Sequence, residues 1–390
     1  MTSQHQRPLF DASPAPPPVA GRTALEFFAG VGLARMGLEQ VGWEVVFAND
    51  LDPGKRRMYE GHFGPSPHYS GEDIHRLAER PSEVPSATLA HASFPCTDLS
   101  LAGGRRGIHA GQSSAYWGFH RLLERMGDRR PPLVLLENVT GFLSSNGGAD
   151  FEAALASLND LGYAVDAFTL DAAHFVPQSR PRLFVIGHNA TEGTSTKPPA
   201  ASVLRPPKLL GFVARDNGIR WSHFELPEPP AYGAADFEAV LDDPPAGSGA
   251  WWSEERADYL LSQMSQRHRA VANEMIKCRR ASYGTVFRRV RKGRSMAELR
   301  TDGLAGCLRT PKGGSGRQIL FKAGGGRFQV RLLNADECAR LMGAGGYRVE
   351  ATLNQALFGF GDAVCVDCIR WIAENCLNPA TEAPPGGAAS

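Results

Sequence analysis

From residue 22 the chain alternates short apolar runs with segments of helical spacing. "TALEFFAG" reads as a buried strand ending in glycine, "LARMGLEQVG" as a helix, and "WEVVFAND" as a second strand closed by an acid. "ATLAHASFP", "PPLVLLENV", "YAVDAFTLDA" and "RLFVIGHN" continue the strands; "SAYWGFHRLLERMG" and "DFEAALASLNDLG" supply helices between them. Strands separated by helices of this length predict an α/β fold with a doubly wound, mostly parallel sheet. This pattern covers residues 21–190, read as the first domain.

After His188 the texture changes. Residues 191–345 are Gly/Pro-rich and irregular, with helical periodicity mainly over 254–280, and read as a second, smaller domain. "NADECARLMG" and "DAVCVDCIRWIAEN" turn helical again. The second of these is expected to open at Asp362, with Val364, Cys368 and Ile372 on one face, in a segment 346–377 that returns to the first domain. Within "NADECARLMG", Glu337 and Arg340 have the spacing of a helix ion pair. Residues 1–20 and 378–390 are Pro/Ala/Gly-rich and expected to be disordered tails.

Charge separates the two domains. The chain carries a net +1, yet Leu261 to Arg331 holds 17 Lys/Arg against three acids, a local +14. Such a block suits a polyanion-facing surface; a solvated charge-rich face is the plainer alternative. Seven scattered cysteines suit reduced thiols, and the one close pair, Cys365-x-x-Cys368, reads as helix packing without a metal. The N-terminus has no signal-type apolar core, and no run of 18 apolar residues occurs. The expectation is a soluble cytoplasmic chain with no membrane partner.

Two places carry candidate chemistry. "FFAGVG" joins strand to helix through Gly30-x-Gly32, and Asp50 ends the next strand 18 residues after Gly32. Glycines let a backbone approach a ligand closely, and a strand-end acid can bond ribose hydroxyls. The third glycine of a phosphate cradle is missing and no P-loop lysine follows, which points to a nucleoside without phosphate, such as S-adenosylmethionine. Asp73, in "EDI", is placed to take an adenine amino group, with Ile74 on the ring.

Cys96 follows the strand "LAHASF" and Pro95, whose ring fixes the exit of the chain. A thiolate there is a nucleophile; a buried inert thiol is the commoner fate of cysteine. Glu137 and Asn138 end the apolar run "LLENV", where a carboxylate is either paired or held for acid work. Arg180 and Arg182, two apart in "QSRPR", point the same way if the segment is extended. Nucleophile, acid and cations at strand ends suit covalent attack on an electron-poor ring.

"FAGVG", "AND", "EDI", "SFPCTDLS", "ENVTGFL", "QSRPRLFVIG", "RLLNADECARLMG" and "FGDAVCV" occur in that order. Together they resemble the cytosine-5 DNA methyltransferase family over about residues 22–190 and 300–377. The resemblance implies that Cys96 attacks C6 of a flipped cytosine in duplex DNA, that Glu137 holds N3 and the amino group, and that Arg182, supported by Arg180, positions the base. It implies S-adenosylmethionine held by Phe28, Gly30, Gly32, Asp50, Leu51, Asp73, Ile74, Pro95, Asp362 and Val364. It makes 191–345 a target-recognition domain whose basic segments line DNA. Thr97, Asn138, Arg309 and Lys312 are the expected substrate contacts. A restriction-modification or orphan modification role follows, with a cognate endonuclease as functional partner and a monomeric, nucleoid-associated enzyme.

The chain departs from the family pattern at several points. Thr97 stands where glutamine is usual, Leu33 where glycine is, and Asp50 where glutamate is. "Gly361-Asp362-Ala363-Val364" replaces Gly-Asn-x-Val, and Cys307-Leu308 replaces Thr-Leu. None of these removes a bond-making group. The rival readings are an RNA cytosine-5 methyltransferase on the same scaffold and a catalytically inactive DNA-binding paralogue. A dinucleotide-dependent oxidoreductase is disfavoured by the missing third glycine.

Overall fold

The computed structural model describes residues 17–95, 114–188, 194–233, 236–245, 247–291, 293–310 and 317–382. Two compact units are present. The larger holds the described residues of 17–171, 181–229 and 363–382; the smaller holds those of 172–180 and 230–362.

The larger unit is built on a seven-stranded sheet: β1 (Thr23–Phe27), β2 (Glu44–Asn49), β3 (Tyr69–Ser70), β4 (Leu89–Ala92), β5 (Leu133–Val139), β6 (Ala164–Asp171) and β7 (Pro181–His188). Their order is β3-β2-β1-β4-β5-β7-β6. Helices α1 (Leu33–Glu39), α2 (Pro53–Phe63), α3 (Ile74–Glu79), α4 (Ala115–Met126) and α5 (Ala149–Asp160) lie between strands in sequence. The first five strands pair in parallel, whereas β7 is antiparallel to both β5 and β6. Only the nine residues Ala172–Arg180 join β6 to β7, fewer than a parallel crossover needs. The strands are apolar because both faces are covered. One face carries the core of Leu25, Phe27, Ala90, Ala92, Val134 and Leu136 packed on Phe119, Leu122 and Leu123 of α4.

The same unit contains the short pair β8 (Thr194–Ser195) and β9 (His223–Phe224), and α6 (Pro207–Val213). Asp166 of β6, fully buried, accepts from Arg205 at 2.7 Å, His223 Nδ1 at 2.8 Å and the Phe224 amide at 3.0 Å. Those bonds fasten residues 194–229 to the sheet.

In the smaller unit α7 (Glu254–Ser262) and α8 (Gln266–Lys277) accompany a four-stranded antiparallel sheet: β10 (Ser282–Arg291), β11 (Arg294–Arg300), β12 (Ile319–Gly324) and β13 (Arg327–Leu332), ordered β11-β10-β12-β13. The two helices fall within 254–280, as their periodicity predicts, and the basic stretch expected to be irregular is this sheet. α9 (Ala335–Arg340) starts at a capping box between Asn334 and Glu337. Glu337 pairs not with Arg340 but with buried Arg331 at 2.5 Å, while Arg340 reaches Asp242 at 2.6 Å.

The final helices correct a boundary. Asp362 closes α10 (Leu353–Asp362) in the smaller unit rather than opening the next helix. α11 (Val366–Ile372) begins behind Cys365 in the larger unit, and α12 (Asn378–Glu382) ends the described chain. α11 buries Val366, Cys368, Ile369, Trp371 and Ile372, and burial beside Cys365 pushes the Cys368 thiol up. Among the described residues no helix is long and apolar enough to cross a membrane.

Candidate active site at the carboxyl ends of the strands

Strand order reverses between β1 and β4, which pair from Ala24↔Leu89 to Phe27↔Ala92. In an open α/β sheet, ligands bind outside the carboxyl ends of the strands at such a point. The turn after β1 and the exit from β4 both start there.

The turn is built from left-handed residues: Phe28 (φ 57°), Gly30 (φ 58°) and Gly32 (φ 79°). For Phe28 that conformation is costly, and it is held by the bonds of the two residues that follow it. The Ala29 amide donates to Asn49 O at 2.9 Å, and the Gly30 amide to Asp50 Oδ2 at 3.0 Å. The two glycines do different work. A Cβ on Gly32 would lie 2.4 Å from the Phe63 ring and 2.8 Å from Tyr59, so this glycine lets α1 pack on α2. A Cβ on Gly30 would meet only Phe28 O, at 3.9 Å, so the backbone there faces open space.

Asp50 also accepts the Asp52 amide at 2.9 Å, and Leu51 beside it is 59% exposed. Asp73 caps α3 through the His75 amide at 2.8 Å and seats buried Ile74. Val364 is buried in the same unit. An anchored carboxylate, an exposed apolar side chain and an open glycine backbone fit a nucleoside better than a phosphate, which Asp50 would repel. This donor set is compatible with S-adenosylmethionine. Asp362, exposed at the end of α10, belongs to the smaller unit.

At the exit of β4, buried Phe94 packs on Tyr116 (5.2 Å between centroids) and Phe142 (5.6 Å), and its carbonyl accepts from Asn138 Nδ2 at 3.2 Å. The end of β5 thus clamps the root of the segment carrying Pro95. Cys96 and Thr97 lie outside the described residues, as does Lys312. Glu137 of β5 pairs with Arg182 of β7, Oε1 to Nε 2.9 Å, both side chains largely buried. The pairing is possible because β7 runs antiparallel beside β5, with Val139 opposite Arg182.

Arg180 departs from expectation. It is 1% exposed, and its guanidinium donates to Leu308 O and Gly361 O at 2.9 Å and to Cys307 Sγ at 3.2 Å, all within the smaller unit. It ties together Ala172–Arg180, the Cys307-Leu308 turn and the end of α10. Arg309 is exposed beside that turn. Gln178 works alongside, donating to Leu341 O at 2.6 Å and accepting the Leu308 amide at 2.8 Å.

Two buried groups went unread. Glu26 in β1 accepts the Arg35 amide at 3.2 Å, its other oxygen has no partner among the described residues, and burial pushes its carboxyl up to about 8. His91 of β4 stands opposite Glu26 in register; it contacts Ser93 Oγ at 3.2 Å through Nε2, and burial pushes its imidazole down to about 4. The signal was a lone polar residue inside each apolar run.

The family model described as C-5 cytosine-specific DNA methylase matches residues 23–378. The type II methyltransferase M.HhaI of Haemophilus parahaemolyticus is 25% identical over 363 residues, covering 92% of this chain and 94% of that protein. M.BsuFI of Bacillus subtilis is 32% identical over 172 residues, 44% of this chain and 40% of that one. The fold is similar to that of the S. pombe Dnmt2 methyltransferase, with a TM-score of 0.60 at 17% identity, covering 92% and 98% of the two chains. With a family match across nearly its whole length and the fold to go with it, the chain belongs to the C-5 cytosine-specific DNA methylase family.

Proposed function

We propose that the chain methylates C5 of cytosine in duplex DNA through a covalent adduct at Cys96. The observation that carries this is the buried Glu137–Arg182 pair at the strand ends, next to the clamped root of the Cys96 segment. In this reading the Cys96 thiolate adds to C6 while Glu137 accepts from the amino group and shares its proton with N3, so that negative charge does not accumulate on the ring. Arg182 fixes the Glu137 carboxylate and positions the base. Addition at C6 makes C5 nucleophilic; loss of the C5 proton and departure of Cys96 restore the ring. S-adenosylmethionine supplies the methyl group. The turn from Phe28 to Gly32 would hold it with Asp50, Leu51, Asp73, Ile74, Pro95 and Val364, and Asp362 is retained as a further contact. The cytosine must first leave the stack, at a cost of a few kcal/mol.

The target-recognition role expected of 191–345 falls to the smaller unit, whose main run is 230–362, and the completing role expected of 346–377 falls to the part from 363 onward. Arg309 and Lys312 contact DNA, and Thr97 and Asn138 contact substrate beside the nucleophile. Arg180 acts as a positioning residue. Kinship with type II methyltransferases supports a modification enzyme, either paired with a cognate endonuclease or an orphan; it is read as a monomer acting in the cytoplasm.

A duplex carrying 5-fluorocytosine tests the mechanism, because fluorine at C5 cannot leave as a proton. A denaturation-resistant protein–DNA band that needs S-adenosylmethionine and disappears in Cys96→Ala is expected. A band that survives in Cys96→Ala, or no band from the wild type, contradicts the adduct.

A further inference from the structure

β10 is longer than the sheet that holds it. It pairs with β12 only from Ser282↔Ala323 to Val286↔Ile319, but with β11 as far as Arg291↔Arg294. β11 is supported at Ala297, whose amide donates to Gln263 O at 3.1 Å. Outward of Arg288↔Ala297 the two strands pair, among the described residues, only with each other. They form a ribbon of three residues a side, roughly 10 Å long.

Its composition is unusual for a free edge. Phe287 to Arg294 carries five Lys/Arg and no acid. Val290, in the middle, is 70% exposed, more than any other large apolar side chain among the described residues. Directly opposed residues of an antiparallel pair share a face. Arg288, Val290 and Ser295 therefore lie on one face, Arg289 and Met296 on the other. Arg289 stacks on Phe287 at 4.7 Å and stands 3.8 Å from Glu298, which orients it on its own side.

We infer that this ribbon lies in the major groove of the duplex, with Val290 against the 5-methyl group of a pyrimidine. The inference rests on the reading above that duplex DNA is the substrate. A two-stranded ribbon fits a groove about 12 Å wide and not one about 6 Å wide. The charge block matches the phosphates that flank it. The face bearing Val290 points to the bases because base edges carry the one apolar group that DNA offers in that groove, the thymine-type methyl. Arg288 and Ser295 flank it with donors for base edges, while Arg289 and Arg294 reach phosphates.

Exchange of thymine for uracil removes that methyl and nothing else. Full-length wild type and Val290→Ala are compared on duplex libraries, reading both equilibrium binding and the sequence context of methylated cytosines. The expected wild-type result is one thymine position where uracil weakens binding about fourfold, the worth of one buried methyl-sized group. In Val290→Ala that position becomes indifferent while methyl transfer continues. Arg289→Gln and Arg294→Gln weaken binding evenly across sequences and lower the salt slope by about 0.9 for each phosphate that is no longer neutralised. Methyl transfer by the wild type with no thymine–uracil difference, or a difference that persists in Val290→Ala, overturns the ribbon assignment and leaves the catalytic reading intact. Discriminating binding without methyl transfer does the reverse. Neither binding nor transfer overturns both.

Discussion

Glu26 sits in the middle of β1 holding a proton that the unfolded chain gives up near 4.5, whereas the folded chain releases it near 8. The unfolded state therefore binds fewer protons across that window, and stability falls as pH rises through it. His91 acts in the opposite sense: its imidazole ionises near 6.5 in the unfolded chain and near 4 in the folded one, so its contribution is lost as pH falls. The two offset each other between about 4.5 and 6.5. Of the two, only Glu26 titrates from 6.5 to 8, at about 1.4 kcal/mol per pH unit. Thermal melts should show Tm declining over that range in the wild type and level in Glu26→Gln, which keeps the acceptor for the Arg35 amide. An unchanged decline in the variant means another group is responsible. At this scale the sequence was informative where chemistry stands at a strand end. Glu137 was legible as the acid closing an otherwise apolar run. Arg180 was not, because Cys307, Leu308 and Gly361, which surround it, lie more than 120 residues away in the chain.

Helix α1 docks on α11 through Gly37, where a Cβ would stand 2.6 Å from Val366 O and 2.8 Å from Ile369 Cβ. Backbone is the obstacle, so the contact cannot relax by a rotamer change. Gly37→Ala should cost about 1–3 kcal/mol in urea unfolding. In the smaller unit Glu337 neutralises buried Arg331 and caps α9. Glu337→Gln leaves that guanidinium without its countercharge, and about 3–5 kcal/mol of stability should be lost; a midpoint unchanged from wild type would show the pair to be dispensable. Which elements could be read from sequence follows from their burial. α4 buries a continuous stripe from Tyr116 to Met126 and was clear. α2 buries only Met58 and Tyr59 and left no stripe to see; it is set by the Asp52 cap and Pro53 at its start. The antiparallel sheet of the smaller unit was hidden by arginines and glycines within its strands, which blur the alternation that marks a half-buried strand.

For the molecule as a whole, the +14 of residues 261–331 against a total of +1 divides the chain into a basic part and an acidic remainder. If the basic part neutralises phosphates, log K for duplex binding should fall linearly with log salt, by about 0.9 per phosphate neutralised. A flat salt response would remove DNA as the partner of that block. The central claim is transfer of a methyl group to cytosine C5 through Cys96. Its most direct measurement is tritium transfer from methyl-labelled S-adenosylmethionine, with duplex DNA and RNA offered in parallel to the wild type and Cys96→Ala. The account predicts label in DNA, at C5 of cytosine, from the wild type alone; label confined to RNA, label from Cys96→Ala, or no label from the wild type would contradict it.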